Sequence, residues 1–399
     1  MKQGYLSAYF RGITAKRLSA VEAEPSRSNQ HEFNGAAQLK EIFGVEKRTF
    51  QARFVYLGGQ EDDYIADTGF LTWYDARERH ATRTEYRLYY PTTSVSELAE
   101  QGDLLIIGIL PDETALVIIA EAGSRYESNL SWLFNLHGED MTMFSIKDID
   151  AGDDAALDFA SRLILDEIGV EGFEADENYL EVMIDRFGNH FPTTRIFSEY
   201  ARQTLTEISA SSNPDEALVA WMEREEVLFR TLERYIVGGR VSEGFQDVDI
   251  FISYSLSVQN RRKSRAGHAL ENHLEQVFKE NAVRYSRGRE TENRAKPDFV
   301  FPGIDEYHNP RFPVKKLTML GVKSTCKDRW RQVLSEAARV NDKHLLTLEP
   351  GITENQTVEM QAHRLQLVLP RNLHETYSVS QRACLMDITD FIGLVASRE

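Results

Sequence analysis

The sequence predicts two domains: a β-rich, barrel-like one over residues 1–172 and an α/β one with a central mixed sheet over 191–399, joined through 173–190. Three observations carry this reading. A chain of 399 residues exceeds what one ordinary core organises. Short β-branched and aromatic runs fill most of the first 170 or so residues, whereas from Thr194 onward long helical periodicity gives way to alternating strands and helices. Hydrophobic content of 42% and aromatic content of 10% suit a folded globular chain and argue against disorder.

Taken in order, "RTFQARFVYLGG", "TEYRLYYPTT", "GDLLIIGILP" and "TALVIIAEAG" are strand-like runs bounded by Gly, Pro, Asp and Thr. "DAALDFASRLILDEIG" places apolar residues at helical spacing and stops at a glycine. The stretch from Val170 to Thr194 has mixed periodicity and ends in turn signals, so the inter-domain connection is expected there, though without a flexible linker's composition. "RIFSEYARQTLTEI" and "DEALVAWMEREEVLFRTLERYIV" then repeat apolar residues every three to four positions. "FQDVDIFISYSLSVQNRRKSRAGHALENHLEQVFKEN" reads as helix, basic turn, helix. Short strands are expected at 298–302 and 317–323, a helix from about residue 328, and buried strands in "KHLLTLEP" and "RLQLVLP". There is no internal repeat and no low-complexity tract.

Composition excludes several classes. No run approaches the ~18 apolar residues a membrane span needs. "MKQGYLSAYFRG" lacks an apolar signal core. Only Cys326 and Cys384 are present, which rules out a disulfide framework and points to a reducing cytoplasm. The net charge of −17 argues against a polyanionic partner until its distribution is examined. Residues 261–345 hold 19 Lys/Arg against 11 Asp/Glu, a local excess of +8 on an acidic body. Such a chain repels polyanions everywhere except at one chosen place, the alternative being an ordinary solvated charged face.

Within that basic segment, alternation along "LTMLGVK" puts Leu317, Met319, Gly321 and Lys323 on one strand face, and a lysine on a buried face needs a partner. Asp298, at the lip of the strand in "KPDFVFPG", would be one. Taken alone, Asp298 reads better as a turn cap. Together, a carboxylate and an ammonium at adjacent strand ends form the core of a PD-(D/E)xK nuclease site, where the acid holds Mg²⁺ and the lysine orients or activates the attacking water. The usual motif has an acid two residues before the lysine, and here that position is Gly321. Glu336, at the edge of the apolar face of "DRWRQVLSEAARV", could fill the gap by packing back against the sheet; it reads equally as a surface glutamate. Glu271, beside the buried face of "RAGHALENHLEQVFKEN", could add a further acidic ligand or hold a water, with a solvated glutamate as the alternative.

Lys327, Asp328 and Arg329 open the helix after this strand, with Arg331 two residues on. Arginine bidentate to guanine, with an acid accepting from cytosine N4, is the major-groove signature of G·C pairs. The alternative is an ordinary first helical turn in which Asp328 favours the dipole. Asn260, Arg261, Arg262, Lys263 and Arg265 suit phosphate contacts. Arg11, Lys16 and Arg17 in "RGITAKR" have the charge for the same role or form an exposed loop.

At these residues the sequence resembles the EcoRII restriction endonuclease family. "SVQNRRKSRAGHALENHLE", "KPDFVFPGIDEYHNPRFPVKKLTMLGVKSTCKDRWRQVLSEA" and "KHLLTLEPGITENQ" resemble its catalytic domain, and "YFRGITAKRLSAVEAE", "YRLYYP" and "LVIIAEAGS" more distantly resemble its N-terminal effector domain. The resemblance implies a B3-like pseudobarrel followed by a restriction-endonuclease-like PD-(D/E)xK domain. It further implies a homodimeric, Mg²⁺-dependent type IIE enzyme that cuts duplex DNA at CCWGG-type sites, whose effector domain binds a second DNA copy and regulates cleavage, alongside a cytosine methyltransferase acting on the same sites. Carried over residue by residue, Asp298, Lys323 and Glu336 match the catalytic core, Glu271 and Lys327 its accessory positions, and Tyr307 its "YH" element; Lys327, Asp328 and Arg329 match the base-reading segment. The aromatic and arginine that hold a flipped base in related enzymes have no clean counterpart in "WMEREEVLFR", 221–230. Two rivals stand beside this reading: a repair or recombination nuclease on the same core, and a non-catalytic DNA-binding protein that kept the fold.

Overall fold

The computed structural model describes residues 6–23, 31–35, 37–59, 63–80, 82–136, 144–147, 157–173, 175–326 and 330–398. The chain divides into two compact units, Met1–Val170 and Glu171–Glu399.

The first unit is one eight-stranded sheet. Its strands are β1 (Gly12–Arg17), β2 (Glu32–Asn34), β3 (Arg48–Gly58), β4 (Asp63–Asp75), β5 (Tyr86–Tyr89), β6 (Leu104–Ile109), β7 (Ala115–Ala120) and β8 (Ser145–Lys147), in the order β2-β5-β4-β3-β7-β6-β1-β8. Among the described residues only β3 and β7 pair in parallel. Successive side chains point to opposite faces. Leu105, Ile107 and Ile109 of β6 thus share an interior with Phe33, Leu71, Trp73 and Leu88, from strands far away in the sheet order. Strands so distant meet only if the sheet curls, which is the expected pseudobarrel. The alternate residues, Leu104, Ile106, Leu116 and Ile118, pack outward against α1 (Arg125–Leu133) and α2 (Phe159–Glu167). Burial on both faces explains why "LLIIGI" and "ALVIIA" are continuously apolar.

"GITAKR" is a paired strand of this sheet, not a loop. Lys16 is buried, with Nζ 2.8 Å from both carboxylate oxygens of Glu22. Arg17 donates to the Gly102 carbonyl at 3.0 Å and to Glu127, and Arg11 pairs with Glu113. Lys16 therefore has no charge left to present to a phosphate.

The second unit has a mixed five-stranded sheet of β9 (Ser286–Arg287), β10 (Phe299–Phe301), β11 (Thr318–Lys323), β12 (Lys343–Thr347) and β13 (Leu365–Val368). β9, β10 and β11 run antiparallel, and β11, β12 and β13 parallel. Before the sheet come α3 (Leu180–Phe187), α4 (Thr194–Gln203), α5 (Pro214–Glu243) and α6 (Val248–Glu280). Met183 of α3 packs with Phe197, Tyr200 and Leu228, so much of the expected connecting stretch lies in this second core. Asn213 and Asp247 cap α5 and α6 by accepting from Glu216 and Ile250 N–H, and Pro214 sits in the first turn of α5. Further along are α7 (Trp330–Leu334), α8 (Glu354–Ala362) and α9 (Ile388–Arg398). Among the described residues no helix is long and apolar enough to cross a membrane.

The expected basic turn at 260–267 does not exist: α6 runs through it unbroken. Arg and Lys are good helix formers, and one internal glycine costs only about 1 kcal/mol.

Candidate active site

Asp298 immediately precedes β10, which pairs Phe299 with Leu320 of β11. That register brings its carboxylate to the end of β11, where Oδ2 accepts from Val322 N–H at 2.7 Å and lies 3.0 Å from Lys323 Nζ. The expected carboxylate–ammonium pair is formed. Both side chains are about one-fifth exposed (18% and 20%), enough to face a substrate.

Glu336 comes to the same place by a different route from the one expected. The helix after β11 ends at Leu334, and Glu336 sits in the bend beyond it, followed by Ala337 in the left-handed region at φ 47°. Its Oε2 is buried and has no hydrogen-bond partner. Burial first, and then the negative charge of Asp298, push the Glu336 carboxyl up to about 7, against the opposing pull of Lys323 and Lys343. The strand itself cannot supply this acid. A Cβ at Gly321 would lie 2.8 Å from Cγ2 and 3.0 Å from Cγ1 of Val333, so α7 occupies the space above Gly321.

The bend is anchored on both sides. Glu336 N–H donates to the Val333 carbonyl at 3.2 Å. Tyr307 is fully buried; its hydroxyl donates to Glu292 Oε2 at 2.5 Å and accepts from Arg339 N–H at 3.2 Å, while Ala338 N–H donates to Glu292 Oε2 at 3.3 Å. Burial and then the Glu292 carboxylate push the Tyr307 phenol up to about 12. The structure thus gives Tyr307 a part in holding the Glu336 turn, and its hydroxyl is committed there.

Glu271 borders one depression with Asp298, together with Arg195, Asn272, Glu275, Arg287 and Gly288. Its carboxylate is held by Arg287, whose Nη2 lies 2.9 Å from Glu271 Oε2. Arg287 Nη1 also donates to Asn272 Oδ1 and Glu275 Oε2, each at 2.9 Å. Arg287 escaped sequence reasoning because β9 is too short to register as a strand.

The basic residues divide sharply. Arg265 is buried, 3.3 Å from Glu225 and bonded to Glu226, so it knits α6 to α5 and offers nothing to solvent. Arg262 pairs with Glu233 at 2.6 Å, and Arg261 lies over the Phe191 ring at 4.4 Å. Asn260 and Lys263 are exposed. Arg331 bonds Glu359 at 2.9 Å. Lys327, Asp328 and Arg329 lie outside the described residues. In the 221–230 segment Trp221 and Glu225 point into the core.

A divalent cation fits the constellation. Glu336 repels Asp298 and keeps a buried oxygen without a hydrogen-bond partner, which leaves an acceptor for a cation even with Lys323 and Lys343 nearby. Among the described residues no group of three or more His, Cys, Asp or Glu forms a complete cage. Such a partial set suits a divalent cation that keeps several waters and takes only one or two protein carboxylates.

Residues 229–392 match the family model described as EcoRII C terminal. The type II restriction enzyme EcoRII of Escherichia coli is 35% identical over 322 residues, covering 80% of this chain and 77% of that one. Among solved structures, a metal-depleted Ecl18kI in complex with uncleaved, modified DNA gives a TM-score of 0.45 at 18% identity, covering 56% of this chain and 85% of that one. A complex of the restriction endonuclease PspGI with substrate DNA gives 0.44 at 16% identity, covering 52% and 93%. On the extent of the sequence match, the chain belongs to the EcoRII family of type II restriction enzymes.

Proposed function

We propose that this type II restriction endonuclease makes Mg²⁺-dependent double-strand cuts in DNA at CC/GG-flanked, CCWGG-type sites. The observation that carries the reading is the Asp298–Lys323 pair at the ends of two antiparallel strands, beside the unpartnered buried carboxylate of Glu336. Asp298 and Glu336 would hold the cation. When bound, it would withdraw charge from the scissile phosphate and lower the pKa of a coordinated water. Lys323, tied by one hydrogen bond to Asp298 Oδ2 and partly exposed, keeps donors free to orient that water or the phosphate. Glu271 stands at the rim of the same depression, where it would hold a water once Arg287 shares its charge with substrate.

Lys327, Asp328 and Arg329 would read the C·G pairs, with Arg331, Asn260, Arg261, Arg262 and Lys263 contacting the DNA around them. A palindromic site calls for two copies of the catalytic unit, hence a homodimer. The N-terminal unit, Met1–Val170, would bind a second DNA copy and regulate cleavage, and a cytosine methyltransferase would protect the same sites. The test is plasmid cleavage with Lys323→Ala and Glu336→Ala beside DNA binding in the absence of metal. Loss of at least ~100-fold in cleavage with binding retained is the expected outcome for a charge acting on the transition state. Cleavage by either variant at the wild-type rate would reject the assignment.

A further inference from the structure

Lys343 opens β12 and is nearly fully buried, 7% exposed. A buried ammonium is retained only where its donors are satisfied. Here Nζ donates to the Leu334 carbonyl at 2.9 Å and to the carbonyl of Glu336 itself. Leu334 is the last residue of α7, so the first bond also satisfies an orphan carbonyl and places a cation at the negative end of a helix. The second bond grips the backbone from which the unpartnered carboxylate projects. On its other side the segment is held by Glu292 and Tyr307 through Ala338 and Arg339 N–H. Ala337, between these anchors, sits in the left-handed region that a non-glycine residue adopts only when its surroundings impose it. The ammonium's charge also favours the ionised form of Glu336.

We infer that Lys343 is a positioning residue for the cation site, fixing the Glu336 turn so that its carboxylate meets that of Asp298. This rests on the reading of Asp298 and Glu336 as cation ligands. Outer residues that orient metal ligands typically contribute ~10–100-fold in metal affinity. The readout is Mn²⁺ binding to the full chain, followed by loss of the free-ion electron paramagnetic resonance signal, with thermal denaturation in parallel. Lys343→Met keeps the stem and removes the donors. It should weaken Mn²⁺ binding ~10–100-fold and raise the metal concentration needed for cleavage accordingly. Lys343→Gln, which retains a donor without the charge, should recover part of the affinity; it also carries the comparison if Lys343→Met does not fold. Wild-type Mn²⁺ affinity in both variants, whatever their melting temperatures, would overturn the inference and leave Lys343 a core residue only. Asp298→Ala separates the two levels. If it too binds Mn²⁺ like wild type, the site reading itself fails; if it abolishes binding while Lys343→Met does not, only the positioning role fails.

Discussion

Placing an acid back on the strand, by Gly321→Glu, should damage the enzyme even though it restores the usual spacing of the motif. The Cβ of any residue at 321 would meet Val333 Cγ2 at 2.8 Å and Cγ1 at 3.0 Å, and Val333 is itself fully buried against Met319 and Leu345. Overpacking of this kind costs about 1–3 kcal/mol, before counting a carboxylate forced into apolar surroundings. In a unit of this size that corresponds to roughly 2–12 °C in melting temperature. The perturbation also reaches the site, because Val333 lies three residues before Glu336 and its carbonyl accepts Glu336 N–H. Thermal unfolding and plasmid cleavage should fall together in Gly321→Glu. Adding Val333→Ala relieves the collision, so the double variant should be more stable than the sum of the single effects by about 0.5–3 kcal/mol, as for residues in contact. Wild-type melting and wild-type cleavage in Gly321→Glu would refute the claim that packing, and not chemistry, excludes an acid there.

Three further outcomes follow from the charges. Because the Glu336 carboxyl is pushed up to about 7, the folded metal-free protein holds a proton there that the unfolded chain releases near the ordinary carboxylate range. Its contribution to stability is therefore full at low pH and is lost as pH rises toward and through about 7. Glu336→Gln should stabilise the metal-free protein more at pH ~8 than at pH ~5; equal shifts at both would place Glu336 in ordinary solvent. Arg265→Ala breaks a buried pair with Glu225 and should cost about 3–5 kcal/mol in denaturant unfolding. Lys263→Ala should leave unfolding unchanged and lower the salt slope of DNA binding by about 1; a loss of stability in Lys263→Ala, or none in Arg265→Ala, would invert these roles.

The contrast between Arg265 and Lys263 shows where the sequence was legible. Both belong to one charged run, and nothing in local spacing tells which is paired, because Glu225, Glu226 and Glu233 lie on another helix. Lys16 misled in the same way: its partner Glu22 sits on a separate element, so a buried strand carried the charge pattern of a loop. β6 and β7 were plain, since burial on both faces leaves an unbroken apolar run. Asp298 and Lys323 were found because a lysine on an apolar strand face demands a partner. The same reasoning applied to the head of "KHLLTL" would have found Lys343. The role proposed for Glu336 was visible only as a gap at Gly321. That its carboxylate comes from a bend and not from a helix depends on where α7 stops, which periodicity fixes poorly.

Moving the acid off the strand changes what holds the site together. A carboxylate on β11 would share one hydrogen-bonded ladder with Lys323, and its geometry would be as rigid as the sheet. Glu336 instead depends on three anchors from separate elements: Val333 filling the space above Gly321, Lys343 on the carbonyls, and Glu292 with Tyr307 on the amides beyond. Each is a side-chain contact outside the ladder's own backbone hydrogen bonds and can loosen while the sheet stays intact, although Lys343 itself stands at the head of β12. Cation affinity should therefore fail before global stability does, and damage at these anchors should show first as a raised metal requirement. Lys323 and Asp298, fixed by the sheet itself, have no such intermediate: on the proposed mechanism their loss should abolish cleavage while the fold remains.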